Sequence, residues 1–139
     1  MKWIALVLAV AACAKKIRSC DDELGGVYVA PSGERWSVPD ERAALEVYPL
    51  FPDAPSSPDI VIAPRVIDLH RGGGPTLAGE TKRRYMLRAV ACEGRAPASI
   101  TRCEGDALDV VAADPTPPTS FEPCTFGAPR TRVERWKRE

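Results

Sequence analysis

Short stretches in which apolar and polar residues alternate recur along most of this chain, with turn residues between them. In residues 43–48, Leu45 and Val47 alternate with Glu46 and Tyr48, the period of two that is typical of a strand with one buried face. Patterns of this kind predict eight strands, at residues 26–29, 34–38, 43–48, 60–69, 77–92, 98–103, 107–112 and 130–138.

Some details of these segments stay open. Residues 41–48 carry strong helix formers after Asp40, so a helix is the alternative to a strand there. Residues 77–92 are expected to form one long or bent strand, with Gly79 as a candidate bulge and a turn at 93–97.

Eight short strands joined by turns predict an all-β domain, either a small antiparallel meander barrel or a sandwich, within a chain of 139 residues. A barrel is attractive because closure removes exposed strand edges. Gly26-Val27-Tyr28 in the first strand, with an arginine-rich last strand bearing Trp136, resembles lipocalin-type small barrels. These two short patterns do not assign the domain to that family.

An up-and-down barrel would have two unlike ends. We call the end at which the chain enters the base, and the short turns 39–42, 72–75 and 104–106 are expected there. The opposite end, the rim, would carry the two Pro-rich loops, 49–64 and 114–129, which hold ten of the 14 prolines.

The chain starts with a short leader. Residues 3–14 are uncharged and follow Lys2, and this stretch is too short to span a bilayer but suits a signal peptide. Val10-Ala11-Ala12-Cys13 resembles the lipobox of bacterial lipoproteins. The resemblance implies cleavage before Cys13, a diacylglyceryl group on its thiol and a further acyl chain, such as palmitate, on the new amine.

The leader divides the chain into three parts. Residues 1–12 are the expected signal peptide, and residues 13–23 are the lipidated cysteine with a charged tether. Residues 24–139 form the single β domain. The expected location is the cell envelope, lipid-anchored, and the outer membrane if the source is Gram-negative.

The cysteine count agrees with export. Five cysteines are odd for an exported protein, and lipidation of Cys13 leaves four. In the meander, Cys20 and Cys103 lie at the base while Cys92 and Cys124 lie at the rim. Because a disulfide needs Cα atoms within about 7 Å, the expected pairs are Cys20–Cys103 and Cys92–Cys124.

Composition argues against several functions. Lys and Arg together number 19, as do Asp and Glu, so no overall field favours nucleic acid. The chain has one His and no closely spaced cysteine pair, so no metal or cofactor site is expected. With so few candidates for a base or nucleophile, the domain is expected not to be an enzyme.

Aromatic residues suggest where binding occurs. Phe51, Phe121 and Phe126 are the three phenylalanines of the chain, and all lie in the Pro-rich loops of the rim. They are interpreted either as a rim for a ligand or partner, or as a plug for the barrel end. Trp36 and Trp136 are expected in the core.

The arginines of the later strands also allow two interpretations. Two interpretations, a basic patch or a solvated strand face, apply to Arg83, Arg84, Arg88 and Arg102 together with the tail residues Arg130, Arg132, Arg135, Lys137 and Arg138.

The sequence thus predicts a lipid-anchored bacterial envelope protein with a non-catalytic β domain. The domain would bind a small apolar molecule or an envelope protein at its Pro- and Phe-rich rim. The alternative is a structural envelope lipoprotein with a filled barrel and no ligand site.

Overall fold

The structure, a computed structural model, describes residues 16–41, 43–50, 59–72 and 74–139. Within these ranges the chain forms eleven strands and no helix, so the all-β prediction is confirmed. The strands are β1 Gly26–Val29, β2 Arg35–Val38, β3 Ala44–Leu50, β4 Ile60–Ile62, β5 Val66–Arg71, β6 Leu77–Leu87, β7 Val90–Glu104, β8 Ala107–Asp114, β9 Pro118–Phe121, β10 Cys124–Phe126 and β11 Arg130–Arg138.

Eight of the described strands close into an antiparallel barrel. The hydrogen-bonded order is β1, β2, β3, β5, β6, β7, β8, β11 and back to β1, which is the predicted meander. β4 lies beyond the first residue of β5 and pairs with residues 85–87 of β6, so it extends the barrel wall at the rim. β9 and β10 form a separate hairpin at the rim.

Large side chains fill the barrel. Trp36 of β2 and Trp136 of β11 stack with ring centroids 4.9 Å apart and planes 14° from parallel. Both are buried, as predicted, and the inward residues of β3, β5 and β8 surround them. Close-packed aromatic pairs of this kind contribute strongly to a core.

Residues 44–50 form a strand, which settles the choice left open by the sequence. Leu45 and Val47 are buried while Glu46 and Tyr48 are exposed. The strand pairs with β2 and β5, and these tertiary ladders outweigh the local helix preference.

The turn predicted at 93–97 is wrong. The chain reverses at Arg88-Ala89, between the paired residues Leu87 and Val90, and 93–97 lies inside β7. Arg88 adopts φ 54°, although this two-residue turn contains no Gly, Pro or Asn to signal it. Pro97 is tolerated in β7 because β8 begins to pair only at Ala98, so the ladder on that side needs no N–H from Pro97.

Gly79 is not a bulge. It pairs in regular register with Leu69 of β5 and Ala98 of β7. A Cβ at this position would lie 1.8 Å from the carbonyl oxygen of Asp68, so glycine permits a close approach of β5 and β6.

The Pro-rich segment 114–129 is not wholly a loop. It contains the β9–β10 hairpin, in which Cys124 pairs with Phe121. The expected fourth strand, residues 60–69, is divided into β4 and β5, and both parts pair with β6.

Both predicted disulfides are present. Cys20 bonds Cys103 at the base, with Cα atoms 4.9 Å apart, and Cys92 bonds Cys124 at the rim, with Cα atoms 5.7 Å apart. Cys92 and Cys103 lie on the same strand, about 36 Å apart along it, so the two bridges fasten opposite ends of the barrel.

The described part of the predicted tether packs against the base. Ile17 forms a bridge with Gly105, and Ile17, Cys20 and Leu24 are buried. Arg71 donates hydrogen bonds to the carbonyl oxygens of Cys20 and Asp22. Residues 17–24 are therefore a structured cap on the base, which we call the base cap.

Candidate functional site

The rim carries an apolar groove, which we call the rim groove. β4, the β6–β7 turn and β9 form it, and its volume is about 1070 Å³. The apolar lining consists of Val61, Met86, Leu87, Ala89, Val90 and Phe121. Asp59, Arg88 and Glu122 are charged residues of the same groove.

Two of the apolar side chains of the rim groove are exposed, while Leu87, Val90 and Phe121 are half-buried. Val61 keeps 68% of its surface exposed and Met86 keeps 39%. They meet because β4 pairs with β6 in the register that places Val61 opposite Met86. Cross-strand apolar neighbours normally face a core, so their exposure on this wall makes it a candidate interaction surface.

The β9–β10 hairpin forms the other side of the groove. Its position is fixed by the Cys92–Cys124 disulfide, and the Glu122–Pro123 peptide at its tip is cis. Phe121 lines the groove from this hairpin. A covalent bridge to β7 thus positions one groove wall against the barrel.

The structure separates the three phenylalanines. Phe126 lies against Tyr85, with ring centroids 6.2 Å apart, and close to Gly94 of β7. Tyr85 in turn donates a hydrogen bond of 2.7 Å to the carbonyl oxygen of Pro115. Phe126 therefore packs into the barrel end, as the plug interpretation has it, whereas Phe121 faces the groove; Phe51 lies outside the described residues.

A charged cluster lies at the barrel mouth, above the tryptophan stack. Arg65 pairs with Glu34 at 2.6 Å and with Asp114 at 2.8 Å, and its guanidinium lies 5.4 Å above the ring centre of Trp36. Burial lowers the pKa of Arg65, but its bonds to the two carboxylates outweigh this and raise the pKa above its usual value.

The cluster continues along β11. Arg132 pairs with Asp114 at 2.7 Å and Glu134 at 3.0 Å. Glu134 also accepts a hydrogen bond of 2.9 Å from the Nε1 of Trp136. This chain of ion pairs connects the rim to the core.

The sequence alone does not predict this cluster. Arg132 is expected in a basic patch or on a solvated face, yet in the structure it is half-buried and paired. One signal was available in the sequence. Arg132, Glu134 and Trp136 occupy every second position of one strand, so their side chains must lie on the same face. The carboxylate partner Asp114, on β8, could not be assigned without the register of the barrel.

His70 is exposed near the end of β5. In the ranges that the structure covers, no three His, Cys, Asp or Glu side chains come together in a way that could hold a metal ion. The described residues also contain no helix long and apolar enough to cross a membrane. Cys13 and the leader lie outside the described residues.

Comparison of the chain with protein-family models, curated proteins and solved structures gives no match.

Proposed function

We propose that this protein is a non-catalytic envelope lipoprotein, anchored through Cys13, whose rim groove holds an apolar segment of a partner protein. The observation that carries the proposal is the rim groove itself, where the exposed Val61 and Met86 and the half-buried Phe121 line about 1070 Å³ of space. Apolar patches rimmed by polar residues are a common feature of protein–protein interfaces.

The composition of the groove favours a protein partner. Its apolar floor is bordered by Asp59, Arg88 and Glu122, which carry charges of both signs. Protein interfaces combine an apolar centre with a polar, solvated border in this manner. An apolar molecule inside the barrel is not supported, because the Trp36–Trp136 stack occupies the interior.

The two ends of the barrel indicate how the anchored protein would be oriented relative to the membrane. Ile17 is bound to the base and lies four residues after Cys13, a reach of at most about 14 Å. A lipid on Cys13 would therefore hold the base close to the membrane. The rim groove, at the other end, would face away from the bilayer and towards partners.

Photo-crosslinking tests the groove. A photoreactive amino acid is placed at Val61 of the full-length protein in membranes of the source cells, and at Val133 as the matched control. Val133 is a second exposed valine, 79% exposed, on β11. We expect one discrete crosslinked protein from position 61 and none from 133.

A further substitution makes the crosslinking result decisive. Met86→Glu adds a charge to the groove and should abolish the product from position 61. The proposal is overturned if both valine positions give the same products, if position 61 gives none, or if Met86→Glu leaves the product unchanged.

Fatty-acid labelling tests the anchor. Cells that express the wild-type protein should incorporate labelled palmitate into it, and Cys13→Ser should abolish the label and release the protein from membranes. Cys20→Ser is the control, since Cys20 is bonded to Cys103 and should not affect labelling. Labelling that survives Cys13→Ser would refute the anchor.

One observation favours the alternative, a structural envelope lipoprotein. The filled barrel and two disulfides suit a rigid spacer as well as a binding domain. The two functions differ in the rim groove: a spacer tolerates Met86→Glu without loss of any partner.

A further inference from the structure

A second pocket lies at the barrel mouth, and we call it the mouth pocket. Its volume is about 630 Å³. Four arginines from different parts of the barrel line it, namely Arg35, Arg65, Arg83 and Arg132. Glu34 is the carboxylate of the lining within the described residues, and Pro49, Leu50 and Pro64 supply an apolar wall.

Three of the four arginines are already paired. Arg65 binds Glu34 and Asp114, Arg132 binds Asp114 and Glu134, and Arg35 binds Glu139. These carboxylates hold the guanidinium groups in place and neutralise them.

Arg83 differs from the other three. It shares the inward face of β6 with the buried Thr81 and Tyr85, so its side chain is directed to the barrel interior near the rim. Its Nε donates a hydrogen bond of 3.1 Å to the carbonyl oxygen of Ala63. Among the described residues, no carboxylate lies within ion-pair distance of its guanidinium.

The bond to Ala63 orients the guanidinium. With Nε fixed to the backbone, the two terminal nitrogens of Arg83 stay available as donors. A guanidinium presented in this way matches the two oxygens of a carboxylate, and the planar fork is preorganised for such a pair. Tyr85, two residues on, is a neutral neighbour, as a phenol is at physiological pH, and burial raises its pKa further.

The surroundings of Arg83 limit the charge and the size of a ligand. Arg83 is the guanidinium of the lining that has no carboxylate partner in the part of the chain that the structure describes, so it can balance a single negative charge, and Glu34 in the lining disfavours a polyanion. The apolar wall formed by Pro49, Leu50 and Pro64 favours a ligand with an apolar body. A pocket of about 630 Å³ lies within the usual range for small-molecule sites.

We propose that the mouth pocket binds a small organic acid, with Arg83 as the residue that holds its carboxylate. The apolar body of the acid lies against Pro49, Leu50 and Pro64. This site is separate from the rim groove and does not depend on the function proposed for that groove.

Calorimetry with benzoate tests the site. Benzoate combines one carboxylate with an apolar ring, whereas benzyl alcohol lacks the charge and inorganic phosphate lacks the apolar body. We expect saturable binding of benzoate to the detergent-purified full-length protein, at least about tenfold tighter than either control. Benzoate that does not bind, or binds no tighter than phosphate or benzyl alcohol, overturns the proposal.

Two arginine variants locate the site. Arg83→Gln should weaken benzoate binding by at least about tenfold, because it removes the charge and the paired donors. Arg84→Gln is the matched control, since Arg84 is the adjacent arginine on the exposed face of β6. Equal weakening by the two variants would indicate non-specific charge attraction and would also overturn the proposal.

A measurement on the wild-type protein covers the case in which Arg83→Gln does not fold. In nitrogen–proton NMR spectra, benzoate should shift the backbone amides of Ser32 and Gly33, which line the mouth pocket. Gly105 at the base should not shift. Shifts that are equal at both ends, or confined to the base, contradict the assignment.

Discussion

Trp36 joins the core of the barrel to the charged cluster at the mouth. One face of its ring stacks on Trp136, and Arg65 lies above the ring at 5.4 Å. Arg65 is in turn held by Glu34 and Asp114, so the cation is both paired and stacked. A change at this one residue therefore acts on the core and on the mouth together.

Truncation of Trp36 should be severely destabilising. Trp36→Ala would remove the stack and leave a cavity beneath Arg65, and we expect a loss of about 3–5 kcal/mol in the free energy of unfolding. Urea unfolding followed by circular dichroism measures it. Val133→Ala, at an exposed position, should change the stability by less than about 0.5 kcal/mol. A loss for Trp36→Ala as small as that for the control would contradict this account of the core.

Two buried tyrosines should make the fold sensitive to alkali. Burial raises the pKa of both Tyr28 and Tyr85, so the folded protein holds their phenolic protons more strongly than the unfolded chain does. The resulting stabilisation is fully present below the unfolded pKa of about 10 and is lost as the pH rises through the raised folded values.

The double variant Tyr28→Phe/Tyr85→Phe tests this dependence. It loses the hydrogen bonds to Leu24 and Pro115, which costs about 1–3 kcal/mol each at neutral pH. Above pH 10 its stability should fall less steeply than that of the wild type. Urea midpoints measured from pH 8 to pH 11.5 give the pH dependence of stability for the wild type and for the variant. Parallel curves would show that the two tyrosines do not cause the sensitivity to alkali.

At the scale of the strand, the close approach of β5 and β6 depends on Gly79. The β6–β7 ladder on the other side of β6 runs without interruption from Leu77 to Leu87, so β6 cannot shift away from β5 locally. The carbonyl of Asp68 occupies the space that a Cβ at position 79 would need.

Gly79→Ala should therefore destabilise the barrel by about 1–3 kcal/mol, through forced separation of two ladders. Gly72→Ala is the control, because a Cβ there meets no atom within 4 Å. We expect the control to be neutral or slightly stabilising, by less than about 1 kcal/mol. Thermal unfolding of the two variants compares them directly, and equal effects would show that the contact does not matter.

The β9–β10 hairpin depends on its bridge to β7. It pairs with no strand of the barrel within the described residues, and Cys124 and Phe126 attach it. Removal of the disulfide should therefore release the hairpin and open one wall of the rim groove while the barrel stays folded.

Hydrogen exchange of Cys92→Ser/Cys124→Ser tests this expectation. Amides of β9 and β10 should exchange faster than in the wild type, and those of β8 and β11 should not. Loss of protection throughout the barrel would show instead that the hairpin is part of one cooperative unit.

At the scale of the whole molecule, the two disulfides contribute unequally to the constraint of the unfolded chain. Cys20–Cys103 closes a separation of 83 residues and Cys92–Cys124 closes one of 32. In the chain-entropy description these correspond to about 4.5 and about 3.7 kcal/mol. The Cys20–Cys103 disulfide also holds the base cap in place. The base of the barrel is therefore closed by the segment that follows the predicted anchor.

Much of this architecture follows from local patterns. Alternation along residues such as Leu45 and Val47 predicted strands, and the order of the strands placed each cysteine at one end of the barrel. The disulfide pairing was predictable because a strand separates its two ends by far more than the reach of a disulfide. The turn at Arg88-Ala89 was not, since neither residue type favours a turn.

The rim groove and the charged cluster could not be predicted without knowing the register between strands. Val61 meets Met86 only because β4 pairs with the end of β6, and Arg132 meets Asp114 only through the pairing of β11 with β8. Strand pairing between distant segments is set by the closed barrel as a whole, and no short stretch of sequence encodes it.

The sequence by itself determined the all-β class, because alternation and turns are local properties, and for a meander it also determined the two ends and the disulfide pairs. The choice of a closed barrel over a sandwich came from the tertiary structure. The tertiary structure alone decided that the barrel is filled, that residues 17–24 cap the base, and that an apolar groove and an arginine-lined pocket share the rim. These features depend on which side chains from distant strands occupy the same space, and that is fixed only when the barrel closes.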